Sequence, residues 1–156
     1  MENKQKFMKE ALKEAKKAYK KEEIPVGVVI VRAGEIIAKA HNLKEEKQSS
    51  IFHAEIVAIE RANKKLKKWR LDDCEMYITL EPCTMCMGAI ILARVKKIYI
   101  GAKDLKTGAC GSFINLSEYK FNHNVEIEEG ILKEECEYIL KDFFKKLRDR
   151  KKRRRK

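Results

Sequence analysis

Two short motifs in this sequence supply residue types that can hold a metal ion and move protons. His53-Ala54-Glu55 is followed about thirty residues later by Pro82-Cys83-Thr84-Met85-Cys86. One imidazole and two thiolates fill three positions of a tetrahedral zinc site and leave the fourth for water, as in catalytic centres; structural centres use four protein ligands. The motifs therefore predict a catalytic site with one Zn²⁺ per subunit, held by His53, Cys83 and Cys86.

Glu55 is a carboxylate two residues from a predicted ligand, and it is not itself one of the three ligands. Zinc lowers the pKa of a water molecule from 15.7 to about 7, which makes that water a nucleophile able to attack an aromatic carbon. A nearby carboxylate can take a proton from this water, protonate a ring nitrogen and finally protonate departing ammonia. Glu55 is therefore the predicted proton shuttle of a hydrolytic deamination.

The spacing of apolar residues predicts helices that alternate with short strands. Helices are predicted over residues 3–21, 54–66, 82–93 and from 132 onward, and strands over residues 26–31, 35–40, 76–80 and 97–101. The first two strands read as a hairpin around Ala33-Gly34. This alternation favours an α/β domain with helices on both sheet faces. Both motifs then lie where a helix begins, with Cys83 expected in the first turn, where the helix dipole favours a thiolate.

Net charge is concentrated at the C-terminus. Residues 145–156 contain ten Lys or Arg and one acid, for a charge of +9, whereas the other 144 residues carry 26 basic and 23 acidic side chains. Such a block is typical of a disordered or fraying arm that binds nucleic acid, or of a solvated tail that aids solubility alone. We therefore divide the chain into a zinc-dependent deaminase domain, residues 1–149, and a basic tail, residues 150–156.

The rest of the composition argues against a membrane or secreted protein. No run of 18 apolar residues is present, and the N-terminus is charged and amphipathic without an apolar signal segment. Five cysteines with a single close pair do not resemble a disulfide framework, and Cys74, Cys110 and Cys136 are predicted to be small buried residues. A cytoplasmic location and no membrane partner are expected.

The combined signature, H-x-E with P-C-x-x-C, characterises zinc-dependent nucleobase deaminases. Beyond it, the sequence resembles the bacterial tRNA-specific adenosine deaminases, which convert the wobble adenosine of an anticodon to inosine. The likeness covers nearly the whole chain and includes 41–43, 53–55, 77–86, 101–104, 106–108, 122–123, 129–132 and 142–144. The Lys106-Thr107-Gly108 loop and the last helix, with Phe143-Phe144 and its basic tail, carry the resemblance to the tRNA branch.

The resemblance implies a three-layer αβα cytidine-deaminase-like fold with a central mixed sheet, a homodimer, and a tRNA anticodon stem-loop whose wobble nucleotide flips into the zinc pocket. It also implies five substrate-binding residues: Asn42, Asp104, Lys106, Phe144 and Arg148. Four of them have a plainer interpretation: Asn42 as a turn residue, the two loop charges as solvated, and Phe144 as a core aromatic. The all-apolar segment 84–93 is consistent with a dimer: one face of this helix would pack on the sheet and the other on a second subunit.

One departure from the family pattern borders the predicted pocket. The family commonly has Pro-Thr-Ala before the His-Ala-Glu motif, whereas this chain has Ser50-Ile51-Phe52. The bulky Phe52 is predicted either to narrow the pocket or to stack on a neighbouring base. The zinc chemistry does not depend on these residues, but the preference for flanking nucleotides does.

Three other functions compete with this one. A deaminase of a free base or nucleoside shares the motifs but has no use for a +9 tail. The deaminase domain of riboflavin synthesis would usually precede a reductase domain, for which this chain is too short. A nucleic-acid-binding zinc module without catalysis leaves Glu55 unexplained. In that case His41, His123 or Cys110 would supply a fourth ligand and close the site.

Overall fold

The computed structural model describes residues 2–155, and they form a sheet between two layers of helices. The helices, in chain order, are α1 (Glu2–Lys20), α2 (Lys44–Lys47), α3 (Ala54–Leu66), α4 (Thr84–Leu92) and α5 (Lys133–Arg154). The strands are β1 (Gly27–Arg32), β2 (Glu35–His41), β3 (Cys74–Leu80), β4 (Lys97–Ala102) and β5 (Glu126–Glu129). A single 3-10 turn spans Leu116–Glu118.

The sheet is mixed, with strand order β2-β1-β3-β4-β5. Strand β1 runs antiparallel to β2 and β3, whereas β4 runs parallel to β3 and β5. The predicted hairpin and the predicted α/β class with a central mixed sheet are confirmed. Because β3 and β4 are parallel, the connection between them must cross over, and α4 is that crossover. The start of α4, with its cysteine motif, therefore lies at the carboxyl end of β3.

Each face of the sheet has its own apolar core. Helices α3 and α4 pack on one face with residues such as Ala58 and Ile90, and α1 and α5 pack on the other with residues such as Met8 and Ile139. Gly27 allows α1 to lie directly on β1, because a Cβ there would be 1.9 Å from the Ala11 carbonyl oxygen. The two layers of helices make this the three-layer αβα arrangement.

Three local features differ from the sequence prediction. Helix α4 begins at Thr84, so Pro82 lies before the helix and Cys83 is its N-cap residue and not a first-turn residue. The short helix α2 and the edge strand β5, Glu126–Glu129, were not predicted. Strand β5 has three glutamates in four residues, so its sequence gives only a weak apolar signal. Pairing with β4 stabilises it as a strand.

The C-terminal basic segment is helical as far as the structure describes it. Helix α5 continues through Arg154, so residues 150–154 extend the last helix, whereas the charge block predicted a disordered or fraying arm or a solvated tail. Lys156, the last residue of the predicted tail, lies outside the described residues. Within residues 2–155, every helix is too short or too polar to cross a lipid bilayer.

Candidate active site

The two sequence motifs meet where two helices begin on the same face of the sheet. His53 is the N-cap residue of α3, and Cys83 is the N-cap residue of α4; both have extended backbone conformations. The helices pack against each other, which brings their first turns together. Cys86 lies in the first turn of α4 and is fully buried, whereas His53 and Cys83 are partly exposed.

The three side chains form a group that can hold a metal ion. The His53 Nδ1 atom lies 3.7 Å from Cys83 Sγ and 3.5 Å from Cys86 Sγ. Tetrahedral zinc, with bonds of about 2.1 Å to nitrogen and 2.3 Å to sulfur, separates such atoms by about 3.6 Å. Among the described residues, this is the one cluster of three or more such side chains with the required spacing. The donor set and its spacing therefore fit zinc.

The two thiols have different proton affinities because they share one hydrogen bond. A hydrogen bond with Cys86, together with the nearby His53 imidazole, lowers the pKa of Cys83 to about 4. The same hydrogen bond and burial raise the pKa of Cys86. A hydrogen bond with Cys83 raises the pKa of His53. At least one thiolate is thus favoured at neutral pH, as metal binding requires.

Glu55 lies in the first turn of α3 and has only 4% of its surface exposed. It is not among the three side chains whose ligand atoms cluster. Burial raises the pKa of this carboxyl group to about 7. The site thus contains a group that can both hold and release a proton near neutral pH, beside the cysteine and histidine cluster.

The three residues considered as a fourth ligand make other contacts. His41 Nδ1 lies 3.4 Å from the Glu14 carboxylate, and His123 Nε2 lies 2.7 Å from the Val95 carbonyl oxygen. Cys110 Sγ lies 3.6 Å from the sulfur of Met87. Within the described part of the chain, none of the three joins the metal-ligand group. The described residues therefore bring together three ligand side chains here, the number that catalytic zinc centres use.

Asn42 is buried at the end of β2, beside a cavity of about 390 Å³. Its side-chain oxygen accepts a hydrogen bond from the Lys44 backbone, so it has the turn role that its residue type suggested. The adjacent Glu23, which the sequence pattern did not single out, is 1% exposed and accepts hydrogen bonds from the Glu45 and Glu46 amides. Two polar side chains thus fix helix α2 at the rim of this cavity.

Phe144 lines the same cavity as Asn42 and is 38% exposed, whereas Phe143 is buried. The two rings meet edge to face with their centroids 5.5 Å apart, so the core interpretation holds for Phe143 and not for its neighbour. Arg148 lies one turn further along α5 with its side chain exposed. The second half of α5 thus places an accessible aromatic, Phe144, at the cavity that contains Asn42 and presents the Arg148 cation to solvent.

Asp104 and Lys106 lie in the loop after β4. The Asp104 carboxylate accepts hydrogen bonds from the backbone amides of Lys106 and Thr107 and from the Thr107 hydroxyl. Asp104 therefore shapes this loop, while the Lys106 side chain is exposed. The sequence suggested no role for Glu81. Its buried carboxylate holds the same loop by accepting hydrogen bonds from the Asp104 and Cys110 amides.

Phe52 belongs to the segment that departs from the family pattern. It is partly buried and packs against the apolar core on the α3 side of the sheet, and its carbonyl oxygen accepts a hydrogen bond from the Leu43 amide. Ile51, in contrast, is 53% exposed. Ser50 and Ile51 are therefore the exposed side chains of this segment, and Phe52 also supports the backbone that leads into His53.

Comparison with known proteins gives consistent relatives. The sequence profile of the MafB19-like deaminase family matches residues 2–148. A tRNA-specific adenosine deaminase of Bacillus subtilis is 53% identical over 147 residues, which cover 94% of this chain and 91% of the relative. One from Aquifex aeolicus is 48% identical over 144 residues, which cover 92% and 95% of the two chains.

A solved structure from a study of A-to-I editing by tRNA:A34 deaminases at the wobble position superposes with a TM-score of 0.84. It is 38% identical, and the match covers 86% of this chain and 99% of that one. The three-layer architecture described above is the cytidine-deaminase-like fold of this structural relative. By these matches the chain belongs to the MafB19-like deaminases and, within them, to the tRNA-specific adenosine deaminases.

Proposed function

We propose that this protein hydrolytically deaminates adenosine to inosine at the wobble position of tRNA. The observation that carries the chemistry is the pairing of a three-ligand group, His53, Cys83 and Cys86, with a buried carboxylate, Glu55, that is outside it. Zinc is the proposed metal, one ion per subunit, because the nitrogen and sulfur donors have the spacing that tetrahedral zinc requires.

Bound zinc would supply Lewis acidity that makes water nucleophilic near neutral pH. The residues of the chain then have two tasks. His53, Cys83 and Cys86 would hold the metal. Glu55 accepts one proton of the attacking water and passes it to the purine ring nitrogen. It then takes the second proton of that water, from the hydroxyl group now on the ring carbon, and delivers it to the amino group, which leaves as ammonia. Its pKa of about 7 suits this exchange, since an acid–base group works best when its pKa is near the working pH.

Recognition of the tRNA is assigned to side chains around the site. Asn42 and Phe144 line one cavity, and we assign Asn42 to the flipped adenosine and Phe144 to a neighbouring base. Lys106 and Arg148 are exposed cations that can neutralise phosphates. Asp104 holds the loop that presents Lys106. A free nucleoside needs neither these cations nor the basic end of α5, and this favours tRNA over that rival.

The basic tail, residues 150–156, is proposed to extend this RNA surface beyond the deaminase domain, residues 1–149. Arg150 forms an ion pair with Glu22, which lines the cavity that contains Asn42. The pair thus ties the first residue of the tail to the rim of the cavity that Asn42 and Phe144 line. The rest of the described tail continues along α5 from this point.

A homodimer and a cytoplasmic location complete the proposal. Helix α4 buries Met87 and Ile90 against the sheet, yet Leu92 on the same helix is 71% exposed. A second subunit packed on that side would remove this apolar surface from water. Light scattering at micromolar protein concentration tests this point: a monomeric mass with full activity would contradict the dimer.

Measurement of inosine in tRNA after incubation with purified protein tests the function. We expect wobble inosine to accumulate with tRNA, and free adenosine and cytidine to remain unchanged under the same conditions. Glu55→Ala protein serves as the matched control for contaminating deaminases. Conversion of a free nucleoside without conversion of tRNA would replace the proposed function with that of a nucleoside deaminase.

A further inference from the structure

A buried carboxylate connects the helix that carries the cysteines to the loop that carries Asp104 and Lys106. Glu81 follows β3 and directly precedes Pro82, so it lies two residues before the proposed ligand Cys83. Only 4% of its surface is exposed. A buried carboxylate loses its hydration, so it must be compensated by hydrogen bonds from the protein.

Four donors meet the two oxygens of this carboxylate. Oε1 accepts hydrogen bonds from the Asp104 amide, at 3.1 Å, and from the Ser112 hydroxyl. Oε2 accepts from the amides of Cys110, at 2.9 Å, and Ser112, at 3.2 Å. All four donors are neutral and belong to residues 104–112, which we name the recognition loop. The carboxylate therefore holds both ends of that loop at once.

The backbone of the recognition loop is shaped to cross this carboxylate closely. A Cβ added at Gly108 would lie 2.4 Å from Cδ of Glu81 and 2.5 Å from the Asp104 carbonyl oxygen. The next residue, Ala109, donates its amide to the Pro82 carbonyl oxygen at 2.9 Å. The loop is thus attached to the residues on both sides of the junction between β3 and the cysteine motif.

The side chains that the recognition loop presents to solvent depend on this attachment. Leu105 is 77% exposed, and the Lys106 side chain is exposed beside it. Phe113, directly after the loop, is 69% exposed, and its amide donates to the Gly108 carbonyl oxygen at 3.0 Å. These three side chains make few contacts of their own, so the anchored backbone beneath them fixes their positions.

We propose that Glu81 is a positioning residue that holds the recognition loop in register with the metal-binding motif. It touches neither metal nor substrate. It keeps the exposed side chains of the loop at a set distance from the cysteines, so that the flipped nucleotide and the RNA around it are engaged together. The effect on tRNA rests on the proposed function, whereas the effect on the loop does not.

Glutamine is the informative substitution because it keeps the shape of the side chain. In Glu81→Gln, one of the two acceptor oxygens becomes an NH2 group that faces amide donors of the recognition loop. At least one hydrogen bond to a backbone amide is then lost, and buried donors are left unsatisfied. Ser112→Ala removes a single donor, the hydroxyl, and is the milder variant of the same contact.

The test combines amide hydrogen exchange in the free protein with tRNA kinetics. In Glu81→Gln, the amides of Asp104, Cys110 and Ser112 should exchange about tenfold faster or more, and KM for tRNA should rise by about tenfold. The value of kcat should stay within about threefold and metal content should be unchanged, because Glu55 and the metal ligands are intact. Ser112→Ala should shift exchange and KM in the same direction by less.

The control is Ile98→Val, which removes one methylene from the core at a fully buried position of β4. It should lower the melting temperature without changing loop exchange or KM. Unchanged loop exchange in Glu81→Gln, or a fall in kcat at unchanged KM, would overturn the inference. If Glu81→Gln does not fold, unchanged exchange and KM in Ser112→Ala would overturn it. A wild-type protein that forms no inosine would refute the proposed function and leave the exchange test intact.

Discussion

The metal-ligand cluster lies where two helices begin on a packed core. Four of the five residues assigned to RNA binding, Asp104, Lys106, Phe144 and Arg148, lie instead on a loop and on the second half of a long helix. Cys86 is fully buried and Glu55 is 4% exposed, while Phe144 is 38% exposed and the Lys106 and Arg148 side chains are exposed. Side chains in the first region are held by surrounding core atoms. Those in the second are held mainly through their backbone, so substitutions there should change affinity more than chemistry.

The largest effect is expected at the cluster itself. Cys83→Ala removes one of three ligands, so the metal and the deaminase activity should be lost together. Metal content per chain, measured by elemental analysis alongside inosine formation, checks this. Cys74→Ala is the matched control, since Cys74 is also buried but makes no contact with the cluster. Full activity in metal-free Cys83→Ala protein would remove the metal from the reaction.

Glu55→Gln should separate chemistry from binding within the buried region. The amide keeps the volume of the side chain but cannot shuttle protons, so kcat should fall by about 10²–10⁴ while metal content and tRNA affinity are retained. Single-turnover kinetics with saturating enzyme measure the chemical step. Glu60→Gln, an exposed position on the same helix, should behave as wild type. Near-normal turnover in metal-loaded Glu55→Gln protein would exclude Glu55 from the mechanism.

A smaller effect is expected where α5 carries the basic tail. Replacing Lys151, Lys152, Arg153 and Arg154 by glutamine leaves the Arg150–Glu22 ion pair in place. The logarithm of the tRNA binding constant falls linearly with the logarithm of salt concentration, with a slope of about 0.7–0.9 per phosphate contact. Loss of two or three contacts should therefore reduce this slope by roughly two. KM for tRNA should rise, and kcat at saturating tRNA should change little.

The matched control for the tail is a second set of four basic residues near the far end of α3 from His53: Lys64, Lys65, Lys67 and Lys68. Their replacement by glutamine removes the same charge from the protein. An equal reduction of the salt slope in both variants would mean that tRNA binding depends on the total charge of the protein and not on the tail. An unchanged salt slope in the tail variant would mean that the tail serves solubility alone.

The smallest effect is expected at Phe144. Phe144→Leu keeps an apolar side chain at the cavity but removes the ring, and loss of about 1 kcal/mol of base stacking raises KM for tRNA by about fivefold. Tyr138→Leu is the control, because Tyr138 is a 71% exposed aromatic on the same helix that lines a different groove, between α1 and α5. Equal changes in both variants would contradict a specific contact at Phe144.

Most of the helices and strands could be predicted because they depend on residues that are close in sequence. Apolar spacing predicted α1, α3, the hairpin of β1 and β2, and the strands β3 and β4, and the structure confirms them within a few residues. The two motifs predicted which residues could bind metal, since His, Cys and Cys are the donors that zinc prefers. These inferences need only local periodicity and side-chain chemistry.

Tertiary structure decided the features that depend on distant partners. Strand β5 forms by pairing with β4, although its own sequence, Glu126–Glu129, gives little apolar signal. In the sequence, Glu81 is only a polar residue at the end of a strand. The fold brings the amides of Asp104, Cys110 and Ser112 to its carboxylate, where they donate hydrogen bonds. The sequence alone determined which groups are available for chemistry. Long-range packing determined which of them meet, because hydrogen bonds to a buried carboxylate come from residues more than twenty positions away.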